Sequence, residues 1–355
     1  MKKEKMQNIL MECGITIFAI VLAIFAGAVV MLLFGYEPLA AYSALLKGAF
    51  GTVAATTSTL TKSVPIMLTG LAVAVAFKCG VFNIGAEGQL LMGALFAGIA
   101  GIYVDFLPAV LHIPLTLAAA VLGGMIWAFI PAVMKQKFQV NVVIGTIMFN
   151  YIGEYFVQYM ILNPMKAEGV ATATNPLSET ALLPKILTAP NVLNLGYPIA
   201  ILVAFAMYYL MQHTVKGYEM RAVGINPVAS RWNGIAVEKN MFAALVLSGA
   251  LAGLAGGIEV TGSLGKVVVG ASSGYGFTGI SVALIAHNNP IVIIFSALLL
   301  AAMKTGSMMM QTSAGVSKNM VDLVQGLIIV FLCAEYVFRY VIKKYFQKQG
   351  GEKSC

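Results

Sequence analysis

The chain has 355 residues, of which 59% are hydrophobic and only 10% charged, and its mean hydropathy is +0.88. Soluble domains carry about 25% charged residues, so the balance excludes a soluble globule and leaves one membrane domain, over residues 1–355, with no room for a second soluble one. The formal net charge of +8 does not point to nucleic acid, because the basic residues mark loop ends and form no patch with interleaved aromatics.

In chain order, Lys2-Lys-Glu-Lys5 precedes an apolar run over 13–34. That run is too long for a signal-peptide core and long enough to span, which predicts an uncleaved first helix. Residues 36–61 are mildly amphipathic and are expected outside. A crossing over 63–77 ends at Lys78, and the glycine-rich stretch Gly80-Val-Phe-Asn-Ile-Gly-Ala-Glu-Gly-Gln89 then leads into an apolar run to Val104. Further crossings are expected at 108–131, 140–162, 198–212, 240–258, 275–286, 290–303 and 320–341. The crossings after Gly262 are the weakest, because glycines and serines interrupt their pattern. The fold class is therefore all-α, a polytopic helical membrane protein with about ten transmembrane helices. Thr69-Gly70-Leu71-Ala72 and Ser248-Gly249-Ala250-Leu251 each precede a glycine-rich break carrying a glutamate, in crossings of opposite direction, which makes an inverted repeat a candidate.

This topology puts fifteen Lys and Arg on the side of the termini and seven on the other. By the positive-inside rule both termini are cytoplasmic, as are the loop 213–239 and the basic tail 343–355, while the long hydrophilic loop 163–197 is extracellular.

The 216–239 loop is a polar island with six charges between long apolar runs. Its middle reads as a short helix. Asn226 is a good N-cap, Pro227 suits the first turn, and Gly234 can take the left-handed position beyond the end. Val228 and Trp232, four apart, share one face, and Arg221 and Arg231 add cationic edges. Such a helix with a Trp knob suits a partner's groove; an ordinary connecting loop is the plainer reading.

Asn150, Glu154 and Gln158 recur every four residues and so share a helix face, with Tyr151, Tyr155 and Tyr159 beside it. Lipid does not tolerate that polar face, so it is expected to point into the bundle. It reads either as a pathway lining for a flat, hydrogen-bonding solute or as glue between helices. Between Gly85 and Gly88, Glu87 is expected to cap backbone amides freed by a sharp break. Glu259 reads either as an ionisable group facing protein or water within an apolar segment or simply as the outer end of its crossing. With Asn83 and Gln89 added, the candidate translocation pathway is Asn83, Glu87, Gln89, Asn150, Tyr151, Glu154, Tyr155 and Gln158.

Four scattered cysteines and three histidines form neither a disulfide framework nor a metal site. Gly265-Lys266 lacks the upstream glycine of a phosphate-cradling loop, and no nucleophile sits beside a base, so no enzyme is predicted.

Gly80-Val-Phe-Asn-Ile-Gly-Ala-Glu-Gly-Gln89, continuing into Leu91-Met-Gly-Ala94, resembles the signature of bacterial ABC-importer permeases for nucleosides, within the group that includes ribose and branched-chain amino-acid permeases. Arg221-Ala-Val-Gly224, Asn226-Pro227 and Gly234-Ile235 resemble that group's ATPase-contacting loop. The resemblance implies docking of the ATPase on Arg221, Gly224, Asn226, Pro227, Val228, Arg231, Trp232 and Gly234. It also implies a bacterial plasma-membrane location and three partners: a second permease, a cytoplasmic ATPase that binds the ATP and Mg, and an external substrate-binding lipoprotein. No cofactor is expected in this chain. Permeases for simple sugars or branched-chain amino acids are the alternatives within the group, and an ion-coupled secondary transporter is the alternative outside it.

Overall fold

The structure is a computed structural model and describes residues 21–170, 172–187 and 193–334. The start of the first expected crossing, the end of the last one and the basic tail lie outside the described residues. Thirteen helices are described: α1 Val21–Leu33, α2 Pro38–Phe50, α3 Val53–Lys78, α4 Ala86–Tyr103, α5 Ala109–Phe138, α6 Val142–Leu162, α7 Gly196–His213, α8 Val215–Ile225, α9 Pro227–Trp232, α10 Val237–Glu259, α11 Tyr275–Ile285, α12 Pro290–Ala314 and α13 Lys318–Cys333. The only named strands among the described residues form a small antiparallel pair, β1 Lys185–Leu187 and β2 Leu193–Asn194.

Several helix starts are written locally. The Thr52 side chain accepts from the Ala55 amide at the head of α3, Asn141 from Val143 at α6, and Thr214 from Gly217 at α8. Each satisfies one of the amides that a helix end leaves unpaired.

The chain forms two compact units, Met1–Gly51 with Met303–Cys355, and Thr52–Ala302. In the first, Met31, Ala41, Met310, Met320 and Val324 build an apolar core, and the Tyr42 hydroxyl donates to Ile24 O at 2.8 Å. In the second, α10 packs on α3, α4 and α5, and α11 packs on α3. Gly253 is where α4, α5 and α10 come together. A Cβ there would overlap Ala120 O and approach Gly124, and one at Gly93 would overlap Gly253 itself. Small residues let membrane helices approach at backbone distance.

Among the described residues, five helices are long and apolar enough to cross a membrane, six if α7 and α8, bent by 73°, count as one span. The ten expected crossings are therefore not all single helices of that kind among the described residues. The crossing expected at 275–286 is an 11-residue helix, only about 16 Å long against a hydrocarbon layer of roughly 30 Å. Residues 36–61, expected as an outside segment, form two helical pieces, α2 and the head of α3. The described residues of the 163–195 segment carry no long helix, but they are sewn to the turn after α10. Thr174 N bonds Val267 O (3.0 Å), Leu177 N bonds Gly265 O (2.9 Å) and Leu183 N bonds Thr261 O (3.0 Å).

Candidate functional site

The glycine-rich stretch after α3 is a buried hydrogen-bonded break. Gly80 turns the chain at φ +75°, and Asn83, fully buried, then organises the start of α4. Its Oδ1 accepts from the Gly85 amide (2.9 Å) and its Nδ2 donates to Gln89 Oε1 (3.0 Å) and Ser248 Oγ (2.8 Å). Ser248 in turn donates to Ala72 O at 2.6 Å, tying α10 to α3. From α6, Asn150 accepts from the Gly88 amide (2.9 Å) and donates to Ile84 O (2.8 Å), while Thr146 Oγ1 receives the Ile84 amide (3.3 Å). Two of the amides at the start of α4, those of Gly85 and Gly88, are thus met by side chains, as a buried helix end needs.

A second break faces the first. After α10 the chain makes a π turn over Val260–Leu264 and runs through a Gly/Ser-rich loop to α11. The Gly276 amide, in the first turn of α11, donates to Glu87 Oε2 at 2.7 Å, and a Cβ at Gly276 would overlap the Glu87 backbone. The N-termini of α4 and α11 therefore meet at Glu87, whose charge suits both helix dipoles. Thr69 Oγ1 donates to Tyr275 O at 3.0 Å, which puts this meeting at the level of Thr69 on α3. At 1.5 Å per residue, Thr69 lies about 24 Å from Val53 and about 14 Å from Lys78, well inside the span. Glu87 does receive a backbone amide, but one from α11. Glu259, the last residue of α10, is nearly buried.

Beside Glu87 opens a cleft of about 220 Å³, walled on one side by Glu154, Val157 and Gln158 of α6 and on the other by Val268–Gly270 and Ser272–Gly274. The polar face of α6 is divided. Asn150 belongs to the lock around the first break, whereas Glu154 and Gln158 line the cleft. Asn83 and Gln89 also belong to the lock. Tyr151, Tyr155 and Tyr159 stand exposed on α6 and do not line the cleft. Thr146 and Ser272 are not singled out by the sequence, and Ser248 only as part of the candidate repeat. For Ser272 the one signal is composition, since the glycines and serines that weaken the late crossings are the ones that build the second break.

The polar island folds as two helices, α8 and α9, joined at Asn226. The Asn226 side chain accepts from the Ala229 amide (3.0 Å), and Pro227 opens α9. Gly234, at φ +79°, closes it. Gly234 N bonds Arg231 O and Ile235 N bonds Ser230 O, both at 3.0 Å, the paired bonds of a Schellman ending. Trp232 is 88% exposed and Val228 and Ile225 are exposed beside it. Arg231 pairs with Glu238, Arg221 Nη1 donates to Gln212 Oε1 at 3.3 Å, and Gly224 lies so close to Lys78 O that a Cβ would overlap it. The island thus rests on the end of α3 and on Gly80, where the first break begins.

A helical membrane protein whose polar side chains converge on two facing helix breaks, with an exposed apolar knob on a separate short helix, has the build of a multi-pass permease. Residues 55–333 match the family described as branched-chain amino acid transport system / permease component, and the chain belongs to it. It is 40% identical to the guanosine ABC transporter permease protein NupP of Bacillus subtilis over 95% of this chain and 97% of that one. It is 34% identical to the nucleoside ABC transporter permease protein NupB of Lactococcus lactis (96% and 95%), and 31% identical to the glucose ABC transporter permease protein TsgB13 of Haloferax volcanii (96% and 92%). Second permeases from the same Bacillus and Lactococcus, NupQ and NupC, also match at 24% and 26% identity. No solved structure matches.

Proposed function

We propose that this chain is the membrane-spanning permease subunit of an ATP-binding-cassette importer and carries nucleosides across a bacterial plasma membrane. The observation that carries the reading is near full-length similarity to a guanosine permease at 40% identity. The glycine-rich break over 80–89 supports it, since the stretch that resembles the nucleoside-permease signature is also the one on which the α3, α4, α6 and α10 contacts converge. The glucose permease relative favours a sugar as the second reading.

In this reading the solute crosses between this chain and a second permease, delivered by an external binding lipoprotein. A cytoplasmic ATPase supplies the work, seats on α9 through Val228 and Trp232, and holds the ATP and Mg. Movement at α8 reaches the break directly, because Gly224 touches Lys78 and Gly80. The chain itself does no covalent chemistry. Both termini and the 213–239 segment face the cytoplasm, on the strength of the fifteen-to-seven Lys and Arg bias.

The test is uptake. Deleting this chain should abolish uptake of labelled guanosine or adenosine, with competition by excess nucleosides and none by glucose, ribose or leucine. Loss of sugar or leucine uptake in place of nucleoside uptake would refute the substrate and leave the transporter class standing.

A further inference from the structure

We propose that a cavity between α5, α9 and α10, at the cytoplasmic membrane surface, binds the headgroup of an anionic phospholipid, with Lys135 as its charged contact; this rests on the reading above that the 213–239 segment faces the cytoplasm. The cavity holds about 200 Å³. Its cationic residues are Lys135, in the last turn of α5, and Arg231 on α9, and the one acidic residue on its wall among the described residues is Glu238. Arg231 pairs with Glu238. Lys135 is half-buried and has neither an ion pair nor a hydrogen bond among the described residues. A charge that loses water without gaining a partner is costly, so the cavity has one positive charge left over for an anion.

The rest of the wall asks for more than a simple anion. Met241, Phe242 and Leu245 of α10 and Ala132 of α5 also line it, a surface that suits methylenes and offers phosphate nothing. Ala132 lies six residues before the end of α5 and Leu245 eight residues after the start of α10, about 9 and 12 Å along their helices. A headgroup layer is roughly 5–8 Å thick, so the cavity runs from that layer into the hydrocarbon. Phe129 meets Phe242 edge-on, with ring centroids 5.5 Å apart. Phe129, Ile126 and Leu122, each about half-exposed, continue as a stripe at helical spacing down α5. That stripe is a track for an acyl chain leading out of the cavity. Complete ligand pockets typically measure about 300–1,000 Å³, so a smaller cavity fits a headgroup with its chains outside. The cytoplasmic leaflet supplies anionic lipid. On α9, Pro227 and Arg231 line the cavity, while Val228 and Trp232 stand exposed on the adjacent stripe, about 100° round the helix. A bound lipid therefore braces the helix that carries the proposed ATPase knob.

The whole transporter complex, stripped of lipid in detergent, should be titrated with dioleoylphosphatidylglycerol, dioleoylphosphatidylcholine and glycerol 3-phosphate, with binding read as the rise in permease melting temperature. Phosphatidylglycerol should raise it saturably. Phosphatidylcholine, with the same chains and no net charge, and glycerol 3-phosphate, with no chains, should not. Lys135→Gln should raise the half-saturating phosphatidylglycerol concentration about 10-fold or more, as for a lost hydrogen bond to a charged group. Lys135→Arg should keep it near wild type, and Lys137→Gln, which removes an exposed charge outside the cavity, should change it far less. A response to phosphatidylcholine equal to that for phosphatidylglycerol, a response to glycerol 3-phosphate, an unchanged Lys135→Gln titration or an equal loss in Lys137→Gln overturns the proposal. Inverted whole-cell labelling of the 213–239 segment would refute the orientation, and with it the choice of leaflet, a result distinct from every titration outcome.

Discussion

Asn83 makes more of the site than any other side chain, and it does so away from the cleft. Its carboxamide bonds the Gly85 amide, Gln89 and Ser248, all buried. Asn83→Leu takes the partner from the Gly85 amide and the Gln89 carboxamide, at about 1–3 kcal/mol for each buried orphan, while Ser248 keeps its bond to Ala72 O. The variant should melt well below wild type in detergent or fail to assemble; an unchanged melting temperature would mean that the lock does not hold the break. Glu154 makes the opposite case. It is exposed at the cleft and outside the lock, so Glu154→Gln should leave melting unchanged and alter uptake per assembled complex. If melting falls and uptake per complex does not change, Glu154 is structural.

At the scale of single elements, α9 is a helix of six residues that survives because both ends are specified. An Asn226→Ala change removes the N-cap, at roughly 0.5–2 kcal/mol. Gly234→Val forces a β-branched residue to φ +79°, against a penalty of about 1–2 kcal/mol. Trp232 is 88% exposed, so Trp232→Ala should leave permease melting unchanged, while weakening retention of the proposed ATPase partner by about 2 kcal/mol or more, as for an interface anchor. Affinity measured on the purified complex decides; equal ATPase retention by the Trp232 and wild-type chains would make α9 a mere connector. In the α4, α5 and α10 cluster, Gly253→Val has no such freedom. Its Cβ would overlap Ala120 O and press on Gly124, so recovery of folded permease should collapse.

For the whole molecule the sharpest prediction is orientation, and the structure selects the reporters. Ser230 sits in the 213–239 segment proposed to face the cytoplasm but is 4% exposed, whereas Val228 is open. In a chain without native cysteines, Val228→Cys should resist an impermeant thiol reagent added to whole cells and Asn175→Cys, exposed in the 163–197 loop, should react. The reverse pattern would invert the topology.

Hydropathy, helix ends and the signature are legible without coordinates, because each is a property of neighbours in the chain. The apolar runs exclude a soluble fold, and Asn226, Pro227 and Gly234 bound α9 as their backbone preferences demand. The stretch around Asn83 is recognisable as a break, since glycines there interrupt an apolar run. The partners of that break are not recognisable. Asn150, Glu154 and Gln158 repeat at helical spacing, and nothing in that spacing says that Asn150 closes a lock while the other two open on a cleft. The tyrosine stripe beside them reads as lining and is exposed on α6. The segment 275–286 passes for a crossing because hydropathy counts apolar residues and cannot see that the helix there is only 11 residues long. Only the fold brings Glu87 to Gly276 and Asn83 to Ser248, across 189 and 165 residues. Periodicity reports which residues share a face; which partner that face meets depends on helices packing at backbone distance through Gly93, Gly124 and Gly253, and that is a property of the assembled bundle.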